Sequence, residues 1–214
     1  MNPIKVLAVD DHDLITLAIK QILARHHNIQ LMESVKFGND AFDKIQLFRP
    51  DVVILDIYLQ DASGFDIMEK VLATNPNIRF LIYTGSEKEE DVIQSFEKGA
   101  YGYVFKSAKV HDLVEAIEAV ARGEHYSKGL VSDLLIHSFL RRKTEKEAIL
   151  NISHREKEIL RLIIGGKTNQ EIADQLFISK RTVEVHKSNI MHKLQVKTTA
   201  ELVMFGIKMK LIEL

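Results

Sequence analysis

The run Asp51-Val52-Val53-Ile54-Leu55-Asp56-Ile57-Tyr58 carries the clearest structural signal in this 214-residue chain. Four consecutive apolar residues, three of them β-branched, leave no polar face. The segment therefore reads as a strand covered on both sides, the pattern of a parallel sheet. It stops on Asp56, and open parallel sheets gather ligands at the carboxyl ends of their strands. Three more runs have the same form: Val6-Leu7-Ala8-Val9 stops on Asp10-Asp11, Phe80-Leu81-Ile82-Tyr83 on Thr84, and Tyr103-Val104-Phe105 on Lys106. One polar residue at a strand end says little, because every strand must stop somewhere. A matched set of carboxylates, hydroxyl and ammonium on one rim points to phosphate or metal chemistry.

Helical spacing fills the intervals. Ile15, Ile19, Ile22 and Leu23 follow the first strand, and a further extended stretch is expected near Gln30 to Val35. Ala41, Ile45 and Phe48 precede Pro50; Phe65, Met68, Val71 and Leu72 follow Gly64; Val92, Ile93 and Phe96 precede Gly99. Leu113, Ala116, Ile117 and Val120, at i, i+3, i+4 and i+7, form the cleanest amphipathic pattern of this half. Five strands alternating with five helices predict an α/β doubly wound five-stranded parallel sheet over residues 1–124.

The alternation stops at Gly123. Residues 125–150 read as a partly helical linker, with a helix around Leu130 to Leu140 and then the charged run from Arg141 to Glu147. Residues 151–214 read as a small all-α domain of four helices. Ser153 caps the first, with Glu156 at the capping-box position and Gly165-Gly166 at its end. The others are expected near Asn169 to Leu176, Lys180 to Leu194 and Thr198 to Lys210, with Ser179 as an N-cap after a short turn. Two helices joined this tightly form either a helix-turn-helix, whose second helix enters a major groove, or a plain helical hairpin. In the last helix Leu202, Val203, Phe205 and Met209 cover too much of the circumference for one core face, which suggests a partner surface.

Net charge near zero conceals a division. Residues 1–140 hold 14 Lys and Arg against 21 Asp and Glu, and residues 141–214 hold 15 against 9. An acidic front suits a divalent cation and a basic back suits DNA. There is no cysteine, hence no disulfide framework and no thiolate metal site. No apolar stretch approaches the roughly 18 residues a membrane helix requires, and the N-terminus lacks the parts of a signal peptide. A soluble cytoplasmic protein without membrane contact is expected.

Asp10, Asp11 and Asp56 repel one another unless a cation sits among them. Mg2+, which binds through one or two carboxylates plus phosphate, is the natural solution. Lys106 and Thr84 can then neutralise and hydrogen-bond phosphoryl oxygens. Asp is itself a nucleophile in phosphoryl transfer.

Over residues 4–122 the chain resembles the receiver domain of two-component response regulators, in the Asp10-Asp11 pair, Asp56, Gly64 eight residues later, Thr84, Gly99-Ala100, Tyr103 and Lys106. The resemblance implies a flavodoxin-like fold in which Asp56 accepts phosphate from a histidine kinase. It makes Asp11 a direct Mg2+ ligand, with Asp10 acting largely through water, and adds the backbone carbonyl of Tyr58. Thr84 and Tyr103 become the switch pair. One departure stands out: the family usually carries Pro after the phosphoacceptor where this chain has Gln60, which bears on loop stiffness and phosphoryl lifetime. His12 is expected to be a solvent-facing helix-start residue rather than a ligand, and His26-His27 an exposed helix end.

Residues 152–207 resemble the DNA-binding domain of LuxR-type regulators, in Ile152 to Leu160, Asn169-Gln170-Glu171-Ile172-Ala173, and Ile178 to His186. By that resemblance Lys180, Arg181 and Thr182 meet phosphates, Glu184, Val185 and Ser188 face bases, and Lys187 reaches the backbone. Glu184 stands where Lys is common, and His154 where Pro is common. His186 is expected to pack inward. The family uses its last helix for dimerisation, and paired half-sites on double-stranded DNA require a dimer.

Together these resemblances imply a transcription factor of the NarL/FixJ type, a homodimer when phosphorylated, that catalyses only its own phosphotransfer and autodephosphorylation. A haloacid-dehalogenase-type phosphatase is the enzyme alternative. It wants Thr or Val two residues after its Asp-x-Asp, where Asp11-His12-Asp13 is followed by Ile15, and it leaves Asp56 without a role. A third reading is a degenerate receiver that acts through protein contacts alone.

Overall fold

The computed structural model describes residues 2–209 and 211, apart from the side chains of Lys146 and Glu147. Two compact units emerge, residues 1–138 and 139–214.

The first unit alternates as its periodicity requires: β1 (Ile4–Val9), α1 (Asp13–Leu23), β2 (Ile29–Val35), α2 (Gly38–Phe48), β3 (Val52–Leu55), α3 (Gly64–Thr74), β4 (Arg79–Thr84), α4 (Glu89–Glu97), β5 (Gly102–Phe105) and α5 (Val110–Ala121). The strands pair in parallel in the order β2-β1-β3-β4-β5. All four residues of β3 are buried, because successive side chains enter different cores: Val53 and Leu55 join Leu7, Val9, Phe80 and Met68, while Val52 and Ile54 join Val6, Ala8, Leu81 and Ile117. Fully burying each such side chain stabilises the fold by roughly 1.5–3 kcal/mol.

After α5 the chain returns to the sheet. Tyr126 N–H donates to the Tyr101 carbonyl at 2.8 Å and its carbonyl accepts from Tyr103 N–H at 3.2 Å, a one-residue parallel bridge along the edge of β5.

Helix α6 spans Leu130–Leu150, ten residues beyond the helix expected up to Leu140. The charged run is made of strong helix formers, Arg, Lys and Glu, whose spacing allows favourable pairs one turn apart, so the helix continues through it. Val131 is buried in the first unit's core with Leu134 and Leu135 against it. Ala148 and Ile149 pack on the core of the second.

The second unit continues with α7 (His154–Ile164), α8 (Asn169–Leu176), α9 (Lys180–Lys193) and α10 (Thr199–Lys208). The capping chemistry reads true. Ser153 Oγ accepts from Glu156 N–H while the Glu156 carboxylate accepts from Ser153 N–H, and Ser179 caps α9 through Thr182 N–H. Gly165 ends α7 and Gly166 adopts φ 81°, a left-handed conformation that suits glycine. Lys210, the expected last residue of α10, lies outside the described residues. In α10 Leu202 is fully buried and Val203 and Phe205 pack on the unit's own core, so the outward apolar residues are Met204 and Ile207.

Glu156 also accepts Lys193 Nζ at 2.7 and 3.0 Å, joining the start of α7 to the end of α9. Burial pushes its carboxyl up, but Lys193 and the Ser153 cap outweigh that and hold it below its usual value of 4.5. A depressed carboxyl contributes stability that is present above its unfolded pKa and lost as pH falls through the folded one. Glu156→Gln is therefore expected to lower the unfolding free energy at neutral pH by about 1–3 kcal/mol, less than a wholly buried pair because Lys193 is partly solvated. Denaturant titration checks this, and the gap to the native chain should close as pH falls through the lowered Glu156 value.

Candidate functional site

Strand register assembles the rim. Val9 pairs with Leu55, which sets Asp10 and Asp11 beside Asp56, and Thr84 pairs with Phe105, which sets Lys106 beside Thr84. Asp10, Asp11, Asp56 and Thr84 are all buried, although a strand-end polar residue would ordinarily be solvated. Lys106 Nζ donates to Asp56 Oδ2 at 2.6 Å and lies 2.7 Å from Asp10 Oδ2. Burial pushes the Lys106 ammonium down, and the two carboxylates more than restore it, so its pKa is raised and it stays charged.

The acidic group fits a cation. Asp10, Asp11, His12 and Asp56 each offer a ligand atom, all within 4.8 Å of one another. Asp11 Oδ1 is buried and accepts no hydrogen bond. A buried carboxylate oxygen without a donor is costly, and a cation removes that cost. His12 stands at the N-cap of α1 as expected, with its side chain 63% exposed, yet its Nδ1 lies 3.1 Å from Asp10 Oδ1 and 2.8 Å from Asp11 Oδ1.

The loop after Asp56 is held from three sides. Tyr58 N–H donates to Asp56 Oδ1 at 3.3 Å, and Gln60 N–H donates to Asp11 Oδ2 at 3.0 Å, a bond that proline at this position cannot make. Asp61 accepts from the N–H groups of Gly38 and Asn39 at the start of α2, and these bonds hold its carboxyl below the usual range. Gly64 closes the loop. A Cβ there would lie 2.3 Å from the Asp56 carbonyl oxygen and 2.8 Å from Ile57 Cα. Gly64→Ala is expected to cost about 1–3 kcal/mol and to displace the Asp56 backbone. Thermal unfolding reads the loss of stability.

Sequence reasoning missed Asp91. In the acidic first turn of α4 it looks like a dipole partner, but it is buried, and its Oδ2 accepts from Tyr58 Oη at 2.8 Å and from Ser86 Oγ. Tyr103 is buried with its hydroxyl donating to the Ser86 carbonyl at 2.8 Å. Burial pushes that phenol far up, so it acts as a neutral donor. Thr84 Oγ1 accepts from Ser86 N–H at 3.4 Å. Tyr58, Thr84, Ser86, Asp91 and Tyr103 thus form one hydrogen-bonded group beside Asp56.

In the second unit α8 and α9 pack through Ile172, Ala173, Val183 and Ile190, with Phe177 in the left-handed conformation between them. The core holds one face of α9. Lys180, Arg181, Glu184, Val185 and Ser188 are exposed around one open concavity, and Thr182 and Lys187 are half-buried. Thr182 Oγ1 lies 2.7 Å from Ser179 Oγ. His186 is half-buried, at the edge of the packed face.

Residues 6–118 match the response regulator receiver domain, and residues 150–205 match the luxR family of bacterial regulatory proteins. The oxygen regulatory protein NreC of Staphylococcus carnosus is 33% identical, over 98% of this chain and 99% of its own. Response regulator protein VraR of Staphylococcus saprophyticus is 32% identical, over 99% of this chain and 100% of its own. RcsB of Salmonella typhimurium shares the fold at 22% identity and a TM-score of 0.64, over 96% of this chain and 98% of its own. RcsB has also been solved as two dimers on two parallel DNAs, at a TM-score of 0.59 and 22% identity over 95% and 98%. The chain belongs to the two-component response regulators. Within them it is a DNA-binding regulator of the NarL/FixJ type, a receiver joined to a luxR-family helix-turn-helix domain. Among the described residues no helix is long and apolar enough to cross a membrane.

Proposed function

We propose that Asp56 is the phosphoacceptor of a cytoplasmic transcription switch: a histidine kinase phosphorylates it, and the product shifts dimerisation and binding to paired half-sites on double-stranded DNA. The observation that carries this is a buried Asp56 hydrogen-bonded by Lys106 and flanked by Asp10 and Asp11, in a chain whose other half is of the luxR type. Residues 1–124 are the receiver, 125–150 the linker and 151–214 the DNA-binding domain.

Asp10, Asp11, Asp56 and the Tyr58 carbonyl would hold Mg2+, which would supply charge neutralisation and orientation for phosphoryl transfer. The chain's own groups do the rest. The Asp56 carboxylate attacks phosphorus in line with the leaving group, and Lys106 neutralises the oxygens. Thr84 offers its hydroxyl to the same oxygens, and the Ser86 loop that Tyr103 grips moves with it. Tyr103 reorients with Thr84 and reshapes the α4–β5–α5 face. The equilibrium so biased is a two-state one. Phosphotransfer to itself and autodephosphorylation are its only chemistry. Lys180, Arg181, Thr182 and Lys187 position the DNA backbone, while Glu184, Val185 and Ser188 read bases.

Selection of bound duplexes from a random pool, with and without beryllofluoride and Mg2+, tests the reading. Enrichment of a two-part site that strengthens with beryllofluoride is the expected result. Equal enrichment in both arms would sink the phosphate dependence, and none in either would sink DNA recognition.

A further inference from the structure

We propose that His12 is a ligand of the divalent cation in the receiver's acidic pocket, and that it gives this site a preference for later transition-metal cations such as Ni2+ over Mg2+. The inference rests on the cation reading above and concerns a residue expected from the sequence to face solvent rather than to bind metal.

The donor atoms lie close enough together to share one cation. His12 Nδ1 is 3.1 Å from Asp10 Oδ1 and 2.8 Å from Asp11 Oδ1, while all four donor atoms, that of Asp56 included, lie within 4.8 Å of one another. Neighbouring ligands at right angles on a cation with bonds of 2.0–2.1 Å are about 3 Å apart, and opposite ones about 4.2 Å. Contact without a metal leaves a deficit. The ring nitrogen has hydrogen-bond geometry toward Asp10 Oδ1. The nearer oxygen, Asp11 Oδ1, is buried without a hydrogen bond. A single cation bonded to the Nδ1 lone pair and both carboxylates satisfies all three atoms.

Two further contacts hold the donors in place. His12 N–H donates to Asp10 Oδ1 at 2.9 Å, and Gln60 N–H holds Asp11 Oδ2 at 3.0 Å, which leaves Oδ1 to face the imidazole. Lys106 approaches the other oxygen of Asp10, so it does not compete for this face. An all-oxygen site suits Mg2+, whereas replacing one oxygen by imidazole nitrogen favours later divalent metals.

The test uses the full-length chain with Mn2+ as a paramagnetic probe. Pulsed electron paramagnetic resonance of the bound Mn2+ is expected to show directly coordinated 14N, lost in His12→Ala. Competition titrations should show Ni2+ binding more tightly than Mg2+, with His12→Ala lowering Ni2+ affinity by roughly tenfold or more while Mg2+ changes far less. Bound Mn2+ without 14N coupling in the native chain overturns the proposal and leaves the cation site standing. Equal losses for both metals in His12→Ala also overturn it, because they mark a structural effect. If Asp11→Asn and the native chain bind Mn2+ equally weakly, the cation reading falls and His12 with it.

Discussion

Asp56→Asn takes up no phosphoryl group from acetyl phosphate and Mg2+ under conditions that phosphorylate the native chain fully. The reason is chemical. An amide has no anionic oxygen to attack phosphorus, and none of the surrounding groups replaces it. Asp10 and Asp11 follow the end of the neighbouring strand, with Asp10 against Lys106, and neither has the carboxylate that Lys106 and the Tyr58 N–H hold at the end of β3. A loss of at least about a thousandfold is expected, equivalent to roughly 4 kcal/mol of activation free energy. The change is nearly isosteric, so the fold should persist. Intact-protein mass spectrometry reads the acyl phosphate directly, and hydroxylamine should remove it from the native chain. Uptake by Asp56→Asn at the native rate would falsify the assignment and reopen the case for a nucleophile on β1.

The second large effect belongs to the helical unit. Changing Lys180, Arg181 and Lys187 together to Ala is expected to weaken duplex binding across all sequences and to reduce the salt dependence by roughly three in the slope of log affinity against log salt. These side chains lie outside the packed core of α9, where Val183 and Ile190 carry the burial, so the domain should fold unchanged. Anisotropy titrations over a salt series give the slope, and circular dichroism confirms the helices. An unaltered slope would show that α9 does not follow the backbone and that Glu184, Val185 and Ser188 are not aimed at a groove.

Much of this protein was legible in its sequence because burial and turn chemistry are local. Val52 to Leu55 has no polar face, so only a strand covered on both sides accommodates it. Ser153 with Glu156 three residues on, and Ser179 after its short turn, declare helix starts locally. The run from Arg141 to Glu147 misled because charge suggests a loop, while its helix propensity prevailed and carried α6 to Leu150.

The strand-end residues were found because a parallel sheet delivers every carboxyl end to one edge, whatever the details of packing. That much the chain determines by itself: the alternation of elements, the rim with Asp10, Asp11, Asp56, Thr84 and Lys106, the capped helices, and the division of charge. Register and loop closure decided the remainder. That Asp91 reaches Tyr58 and Ser86, that Gln60 N–H holds Asp11, that Glu156 meets Lys193 thirty-seven residues away, and that His12 turns its Nδ1 inward are facts of tertiary structure. Periodicity reports only which face a residue occupies. A hydrogen bond or ion contact depends on distances of a few ångströms between segments, and those are set by the packing of the whole domain.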